Sequence, residues 1–419
     1  MHDFQYRDGE LHCERVALSR IAKEVGTPCY VYSHTTLVRH YRVFDGAFQS
    51  IPHIVAFAMK ANSNVAILRL MAREGSGADI VSGGELYRAL RAGIPPSKIV
   101  FAGVGKSWEE IRYALETDIL MFNVESSDEL RAIDDVAAEM GRRARVALRI
   151  NPDIDPQTHP YISTGLKKSK FGISAARALD EFKLASSLQH TEVVGVHKHI
   201  GSQLTEVAPF VDALKKVVAL VETLKGHGTD IRYINIGGGL GITYSDETPP
   251  LPKELAEALS PLIRDLKCVL IMEPGRVIAG NAGILMTRVL YTKEAEAKHF
   301  VIVDAAMNDL IRPSLYNAYH DILPVREVQR GNPVTVDVVG PVCESGDFLA
   351  KDRTMPEAKP GDLLAVMSAG AYGFTMASNY NSRPRVPEVL IREGEIHVIR
   401  RRETYDDLVR GEAIPEFLR

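Results

Sequence analysis

Tryptophan occurs once in this chain and cysteine four times, and the scarcity of cysteine excludes the most. Cys13, Cys29, Cys268 and Cys343 stand far apart with no CxxC pairing, which argues against a disulfide frame or a zinc site and for reduced thiols. No apolar run approaches bilayer length, and the start, Met1-His-Asp-Phe-Gln-Tyr-Arg-Asp8, has no basic stretch leading into an apolar one. A cytoplasmic protein without membrane contact is therefore expected. Long blocks of one charge are missing too: 54 acidic residues stand against 50 basic ones, for a formal net charge of -4. Nucleic acid is not expected as a partner. There is no repeat of fixed period, no low-complexity tract and no long Pro- or Ser-rich linker, so the domains are expected to pack closely.

What is present reads as a sizeable enzyme. The 419 residues exceed what one core usually serves, and 45% hydrophobic with 25% charged residues are ordinary globular proportions, so at least two domains are expected. Short β-rich apolar runs recur at residues 53–59, 78–81, 99–102, 119–124, 146–150, 193–199, 233–236 and 269–272. Between them lie helical patterns such as Val65 to Arg73 and Pro209 to Leu224, and Asp128 and Glu129 after Ser126 and Ser127 read as a capped, acidic first turn. A doubly wound open sheet shares this alternation, but the number of runs favours a closed (β/α)8 barrel. From about residue 280 the runs 283–291, 299–303, 334–339, 363–368 and 395–400 follow one another with little helix between them, which predicts a second, β-rich domain. Residues 4–13 read as a hairpin about Asp8-Gly9. The expected division is an N-terminal segment 1–30 that packs with the C-terminal β domain, a barrel over 31–278 and a β-rich domain over 279–419.

On such a barrel the chemistry-bearing residues all fall at carboxyl ends of strands, the face on which active sites of this architecture are built. Lys60 follows the first strand, His199 and Ser202 the sixth, Gly237-Gly-Gly-Leu-Gly241 the seventh, and Glu273-Pro-Gly-Arg276 the eighth. A lysine at a strand end ordinarily rests its stem on the sheet and keeps its charge in water. Burial would instead lower its pKa and make it a nucleophile for a carbonyl. The glycines, lacking Cβ atoms, let backbone N–H groups approach a phosphate at the start of the following helix. Their spacing is not that of a dinucleotide-binding turn. A reactive amine, a phosphate cradle and a buried acid together suggest pyridoxal 5'-phosphate, with Glu273 pairing the pyridine nitrogen and His199 lying flat on the ring. His197 and His199 on one strand face leave a barrel metallohydrolase open as an alternative, although no metal is expected.

The ordered motifs Phe57-Ala-Met-Lys-Ala-Asn62, Asp79-Ile-Val-Ser-Gly-Gly-Glu85, Phe122-Asn-Val-Glu-Ser126, Ser169-Lys-Phe-Gly172, His199-Ile-Gly-Ser-Gln203, Glu273-Pro-Gly-Arg276, Arg312-Pro-Ser-Leu-Tyr316 and Cys343-Glu-Ser-Gly-Asp347 carry a resemblance over nearly the whole chain. It resembles the diaminopimelate decarboxylases, within the alanine-racemase-like fold family that also holds ornithine and arginine decarboxylases. The resemblance implies that Lys60 carries the cofactor's aldehyde and that His199 lies against the ring. Ser202, Gly238 and Gly239, with the backbone of Glu273, Gly275 and Arg276, would hold the phosphate, and Glu273 the pyridinium. It further implies that Arg276, Arg312 and Tyr316 grip the distal carboxylate and that Tyr372 touches cofactor and substrate. Cys343, as proton donor, and Glu344, as contact for the distal ammonium, would come from the opposite subunit of a homodimer.

Residue chemistry fits that substrate. Meso-2,6-diaminopimelate has a distal carboxylate that ornithine, arginine and lysine lack, and guanidinium binds carboxylate through two parallel hydrogen bonds. The implied reaction releases carbon dioxide and L-lysine, the last step of lysine biosynthesis. Relatives acting on ornithine end the His-x-Gly-Ser motif in glycine where this chain has Gln203. Another basic amino-acid decarboxylase of the same fold, and a non-catalytic pyridoxal-phosphate binding protein, stay open as alternatives.

Overall fold

The computed structural model describes residues 2–152, 170–296, 298–327 and 332–419. The chain divides into two units, Val38–Ile278 and Met1–Leu37 together with Ala279–Arg419. Of the sequence motifs, Ser169 lies outside the described residues.

In the first unit eight strands, His53–Ala58, Gly77–Ile80, Ile99–Phe101, Met121–Val124, Ala144–Asn151, Thr191–His197, Tyr233–Asn235 and Val269–Met272, pair in parallel in chain order. The last returns to the first through Leu270↔His53, Ile271↔Ile54 and Met272↔Val55, so the sheet closes into the (β/α)8 barrel. Both faces of these strands are covered, by the barrel interior and by helices, which is why they read as continuous apolar runs rather than alternating ones. Gly77–Ile80 and Met121–Val124 are buried at every residue. Three helices start where serine three residues before glutamate predicts. The side chains of Ser82, Ser107 and Ser126 accept from the N–H of Glu85, Glu110 and Glu129, each cap worth about 1 kcal/mol.

Inside the barrel an apolar cluster of Ala56, Val100, Leu120, Met121, Ala147, Val194 and Ile271 packs with Ile54 and Tyr233. Side chains two apart on a strand share a face. Following each strand onward by two from Met121, Ala147, Tyr233 and Ile271 leads to Asn123, Arg149, Asn235 and Glu273, and by four from Ala56 to Lys60. The layer above the apolar plug is therefore polar on several strands at once. A bulge between Val193 and Gly195 adds one residue to the sixth strand, which lets Val194 join the cluster although it stands three residues from His197.

The second unit is built on a sheet of nine strands. Cys29–Ser33 pairs antiparallel with Gly283–Ala295 and parallel with Glu388–Arg392. Its core joins Cys13, Cys29, Val31, Ile284, Met286, Val389 and Ile391. The hairpin about Asp8-Gly9 is present, Phe4–Arg7 pairing with Glu10–Cys13, and both turn residues have positive φ, 50° and 73°, as a two-residue hairpin turn requires. Several strands escaped the sequence reading, among them Cys29–Ser33, Ile322–Pro324, Phe348–Met355 and Glu388–Arg392. Phe348–Met355 is an edge strand of the sheet, and its run of Lys351, Asp352 and Arg353 is the charge that keeps an edge from pairing further. Glu388–Arg392 opens on a charged residue that is buried because Tyr32 and Arg400 both donate to Glu388.

One expectation about the glycine run fails. The helix after the seventh strand is Pro252–Ile263, well beyond Gly241, so Gly237 to Gly241 form an irregular segment rather than a helix N-terminus.

Lys198, beside His197, is fully buried, and its Nζ has no hydrogen-bond partner among the described residues. The Phe210 ring stands 5.4 Å away, but a ring face contributes roughly 0.5–2 kcal/mol, less than the several kcal/mol of desolvating an ammonium. Burial pushes this amine down to about 7. The unfolded chain takes up the proton below about pH 10.5 and the folded chain only below about 7, so stability is eroded as pH falls through that window. Lys198→Met removes the loss. Its melting temperature should exceed the parent's by a margin that widens from pH 10 to pH 7 and then levels off. A margin independent of pH would show that Lys198 stays charged in the fold.

Candidate active site

Lys60 projects into the polar layer and its Nζ donates to Asp79 Oδ2 at 2.9 Å. Asp79 sits at the end of the second strand, in register with Ala58 of the first. Burial as the source of Lys60 reactivity is not what the structure shows. The lysine side chain is 39% exposed, whereas Asp79 is completely buried. Burial, and then repulsion from Glu273, push the Asp79 carboxyl up to about 7, with Lys60 pulling the other way. Its Oδ1 is buried with no hydrogen-bond partner among the described residues.

Glu273 has the opposite character. Burial alone would raise its pKa, but its neighbours hold it well below the ordinary carboxylate range. Asn235 Nδ2 donates to Oε1 at 2.6 Å and Asn123 Nδ2 at 3.2 Å. His197 Nε2 stands 3.7 Å from Oε2. Burial lowers the pKa of His197, against the pull of Glu273, so at neutral pH it faces the carboxylate as a neutral ring. His197 comes first among the groups that lower Glu273 and Lys60 next, while the two amide donors add hydrogen bonds that favour the charged form. His199 is likewise held neutral by burial, with Arg149 and Lys60 acting in the same direction.

Around this pair the backbone is drawn in closely. A Cβ on Gly238 would lie 2.2 Å from the carbonyl oxygen of Glu273, and one on Gly239, at φ 124°, 2.6 Å from the carbonyl oxygen of Gly201. Leu204 and Gly239 are bonded through the backbone at 2.9 Å, so the loops after the sixth and seventh strands form one cradle. Gln203 has φ 61°, the left-handed region that glycine occupies without cost. Its amide offsets this by donating to Ile242 O at 2.6 Å and accepting from Ile242 N–H at 3.2 Å. Arg276 donates to Ser202 Oγ at 3.1 Å and to the Tyr244 hydroxyl at 2.6 Å, tying the eighth loop to the same cradle. Gly275, whose Cβ would come within 2.9 Å of that of Ala61, sets this loop against the residue after Lys60.

Two further motifs find their purpose here. Arg149 donates to Glu125 at 2.6 Å and its guanidinium lies 4.8 Å from the Phe171 ring. Gly172 N–H donates to the other oxygen of Glu125 at 2.7 Å.

Lys60, His199, Ser202, Gly238, Gly239, Glu273, Gly275 and Arg276 thus stand at the same end of the barrel strands. Arg312, Tyr316, Cys343, Glu344 and Tyr372 belong to the other unit. Arg312 and Tyr316 bound a single-turn helix, Arg312–Tyr316. Ser314 Oγ in that helix donates to Gly346 O at 2.5 Å, which joins it to the Cys343-to-Asp347 turn. Asp347 shapes that turn by accepting from the N–H groups of Met307 and Val342, both at 2.7 Å. Cys343 is exposed, Glu344 accepts from the Tyr380 hydroxyl at 2.6 Å, and Tyr372 has φ 57°.

Sequence reasoning gave no role to Asp79, Asn123, Arg149, Asn235 or Tyr244, and it weighed His197 only as a metal ligand. Polar residues two positions beyond an apolar one in a buried strand were the available signal for Asn123, Arg149 and Asn235. Among the described residues no three His, Cys, Asp or Glu side chains gather as a metal site would require.

The donor set fits pyridoxal phosphate: an amine on an opening, a carboxylate kept ionised inside the barrel, and a cradle that a single Cβ would fill. Gly238→Ala should therefore displace the Glu273 backbone and cost most of the bound cofactor. Visible absorbance of the purified protein measures this, with circular dichroism to confirm folding. Full cofactor content in a folded variant would mean that the cradle lies elsewhere.

Residues 34–280 match the family model "Pyridoxal-dependent decarboxylase, pyridoxal binding domain". The diaminopimelate decarboxylase of Pseudomonas aeruginosa is 53% identical over 414 residues, 99% of each chain, and that of Aquifex aeolicus 52% identical over 97% of this chain and 96% of its own. Crystal structures of diaminopimelate decarboxylase complexed with L-lysine superpose closely. That from Helicobacter pylori has a TM-score of 0.91 at 45% identity over 94% of this chain and 99% of its own, and that from M. jannaschii 0.94 at 41% over the full length of both. The chain belongs to the diaminopimelate decarboxylase family of pyridoxal-dependent decarboxylases.

Proposed function

We propose that this chain decarboxylates meso-2,6-diaminopimelate to L-lysine and carbon dioxide, the last step of lysine biosynthesis. The observation that carries this is the pairing, in one polar layer, of Lys60 bonded to Asp79 with Glu273 bonded to Asn123 and Asn235. Pyridoxal phosphate, when bound, supplies a sink for the electron pair left by the departing carboxylate. Glu273 is the carboxylate for the pyridine nitrogen, and the two amides keep it charged for that purpose. Asp79 takes the ammonium of Lys60 whenever the lysine is not engaged. His199 presents a neutral imidazole to the cofactor face. Ser202, Gly238, Gly239, Gly275 and Arg276 bind the phosphate.

Arg312, Tyr316 and Arg276 recognise the distal carboxylate, Glu344 the distal ammonium, and Tyr372 touches cofactor and substrate. As the C–C bond breaks, its electron pair stays on the α-carbon, and the Cys343 thiol donates the proton that replaces the lost carboxyl group. Cys343 and Glu344 serve the site of a second copy, which makes the working enzyme a cytoplasmic homodimer. The exposure of Cys343, and of the Tyr380 that holds Glu344, supports that reading.

Lys60→Ala should abolish both the cofactor's visible band and lysine release, and turnover by the folded variant would sink the assignment. Arg312→Ala should raise KM for diaminopimelate at least tenfold, roughly what losing a charge-assisted pair costs. A panel of diaminopimelate, ornithine, arginine and lysine separates the related decarboxylases. Sharing of residues between subunits has its own test: co-expressed Lys60→Ala and Cys343→Ala chains, each inactive alone, should regain about a quarter of parental activity if they form mixed two-fold dimers. No recovery in verified mixed dimers would place Cys343 in its own chain's site.

A further inference from the structure

His320 was not among the residues to which a role had been given, yet the structure fixes its protonation state and its target. The ring is completely buried. Its Nδ1 lies 2.8 Å from the carbonyl oxygen of Met367, and a carbonyl only accepts, so Nδ1 carries a proton. Its Nε2 lies 2.8 Å from Arg312 Nη1. A guanidinium has donors and no acceptor, so Nε2 must offer a lone pair. The two partners admit one state, the neutral Nδ1–H tautomer, because a doubly protonated ring would aim an N–H at a cation.

The backbone explains how the ring gets there. After the helix Arg312–Tyr316 the chain turns through Asn317 in the left-handed region, at φ 49°, and Ala318 N–H donates back to Arg312 O at 3.3 Å. This doubles His320 back onto the arginine that starts the turn. On its other side the ring is bonded to a fixed carbonyl. Met367 N–H donates to Asp321 O at 2.8 Å, extending by one pair the antiparallel ladder Ile322↔Val366. The segment that continues from Met367 through Ser368 to Tyr372 is the one that carries the proposed contact tyrosine. One imidazole therefore links both segments to the end of a sheet.

We infer that His320 is a positioning residue for substrate choice: it holds the Arg312 guanidinium in the orientation that receives the distal carboxylate of diaminopimelate. The inference rests on the reading of Arg312 given above. A side chain such as arginine keeps many rotamers unless a partner fixes its plane, and site groups discriminate only when their own supports are rigid.

The test uses the holoenzyme. His320→Leu should raise KM for diaminopimelate about tenfold with kcat changed less than about twofold, as expected for loss of ground-state binding. His320→Gln, whose amide oxygen can replace Nε2 as acceptor, should restore most of that loss. In an Arg312→Ala background His320→Leu should have no further effect on KM. In parental enzyme with 15N-labelled histidine, the resonances that vanish in His320→Gln should report a protonated Nδ1 and an unprotonated Nε2, a readout available even where His320→Leu fails to fold. If Arg312→Ala raises KM while a folded His320→Leu does not, the positioning role is wrong and the reading of Arg312 stands. If Arg312→Ala leaves KM unchanged, the reading of Arg312 fails and the inference with it. The opposite tautomer, or a doubly protonated ring, also overturns it.

Discussion

A carboxylate must stay charged inside the barrel, and much of the polar layer exists to allow it. Moving such a group out of water costs several kcal/mol even after the surroundings relax. Glu273 meets that cost with Asn123 from the fourth strand and Asn235 from the seventh, both donors fixed by the strands that carry them. Closure of the sheet makes this possible. In an open sheet the fourth and eighth strands would lie far apart, whereas around a barrel they look at each other across the interior. Donors fixed before the chemistry begins need no reorganisation during it.

The same layer keeps a second carboxylate in the contrary condition. Asp79 and Glu273 repel each other in a medium that screens poorly, and the pair settles unequally: Glu273 has two amide donors, while one oxygen of Asp79 has Lys60 and the other no hydrogen bond among the described residues. Two acids with environments that push their pKa values apart divide acid and base duties. The ionised one suits a permanent ion pair with a pyridinium. The one raised to about 7 is suited to exchanging a proton with the lysine in the role proposed for it.

The fold was legible because its signals are local. Eight apolar runs separated by helical patterns, with serine caps at fixed offsets from glutamate, need no tertiary information, and each run proved to be a strand. The edge strand Phe348–Met355 was illegible for a physical reason, since the charges that protect an edge erase the apolar pattern by which strands are recognised. In the candidate site, residues of conspicuous chemistry, Lys60, Glu273 and the glycines, could be read from the chain. Their supports could not. Asn123, Asn235 and His320 gain meaning only from partners 38 to 150 residues away, or, for His320, from a turn that folds it back on Arg312. Gln203 lies between these cases, its identity visible in the motif and its left-handed backbone not.

Lys60 and Lys198 together show what makes a lysine reactive in this chain. Lys198 is the buried one, its amine without a hydrogen-bond partner among the described residues and its pKa near 7, and it faces Phe210 rather than the polar layer. Lys60 is 39% exposed and bonded to a carboxylate. If desolvation alone conferred reactivity, the wrong lysine would have it. The activity proposed for Lys60 must come from its position over the polar layer and from a neighbour able to take its proton. Asp79 meets that second requirement because burial, and then the nearby Glu273, raise it, so the carboxylate that would anchor a pyridinium also helps to tune the acid that would free the lysine.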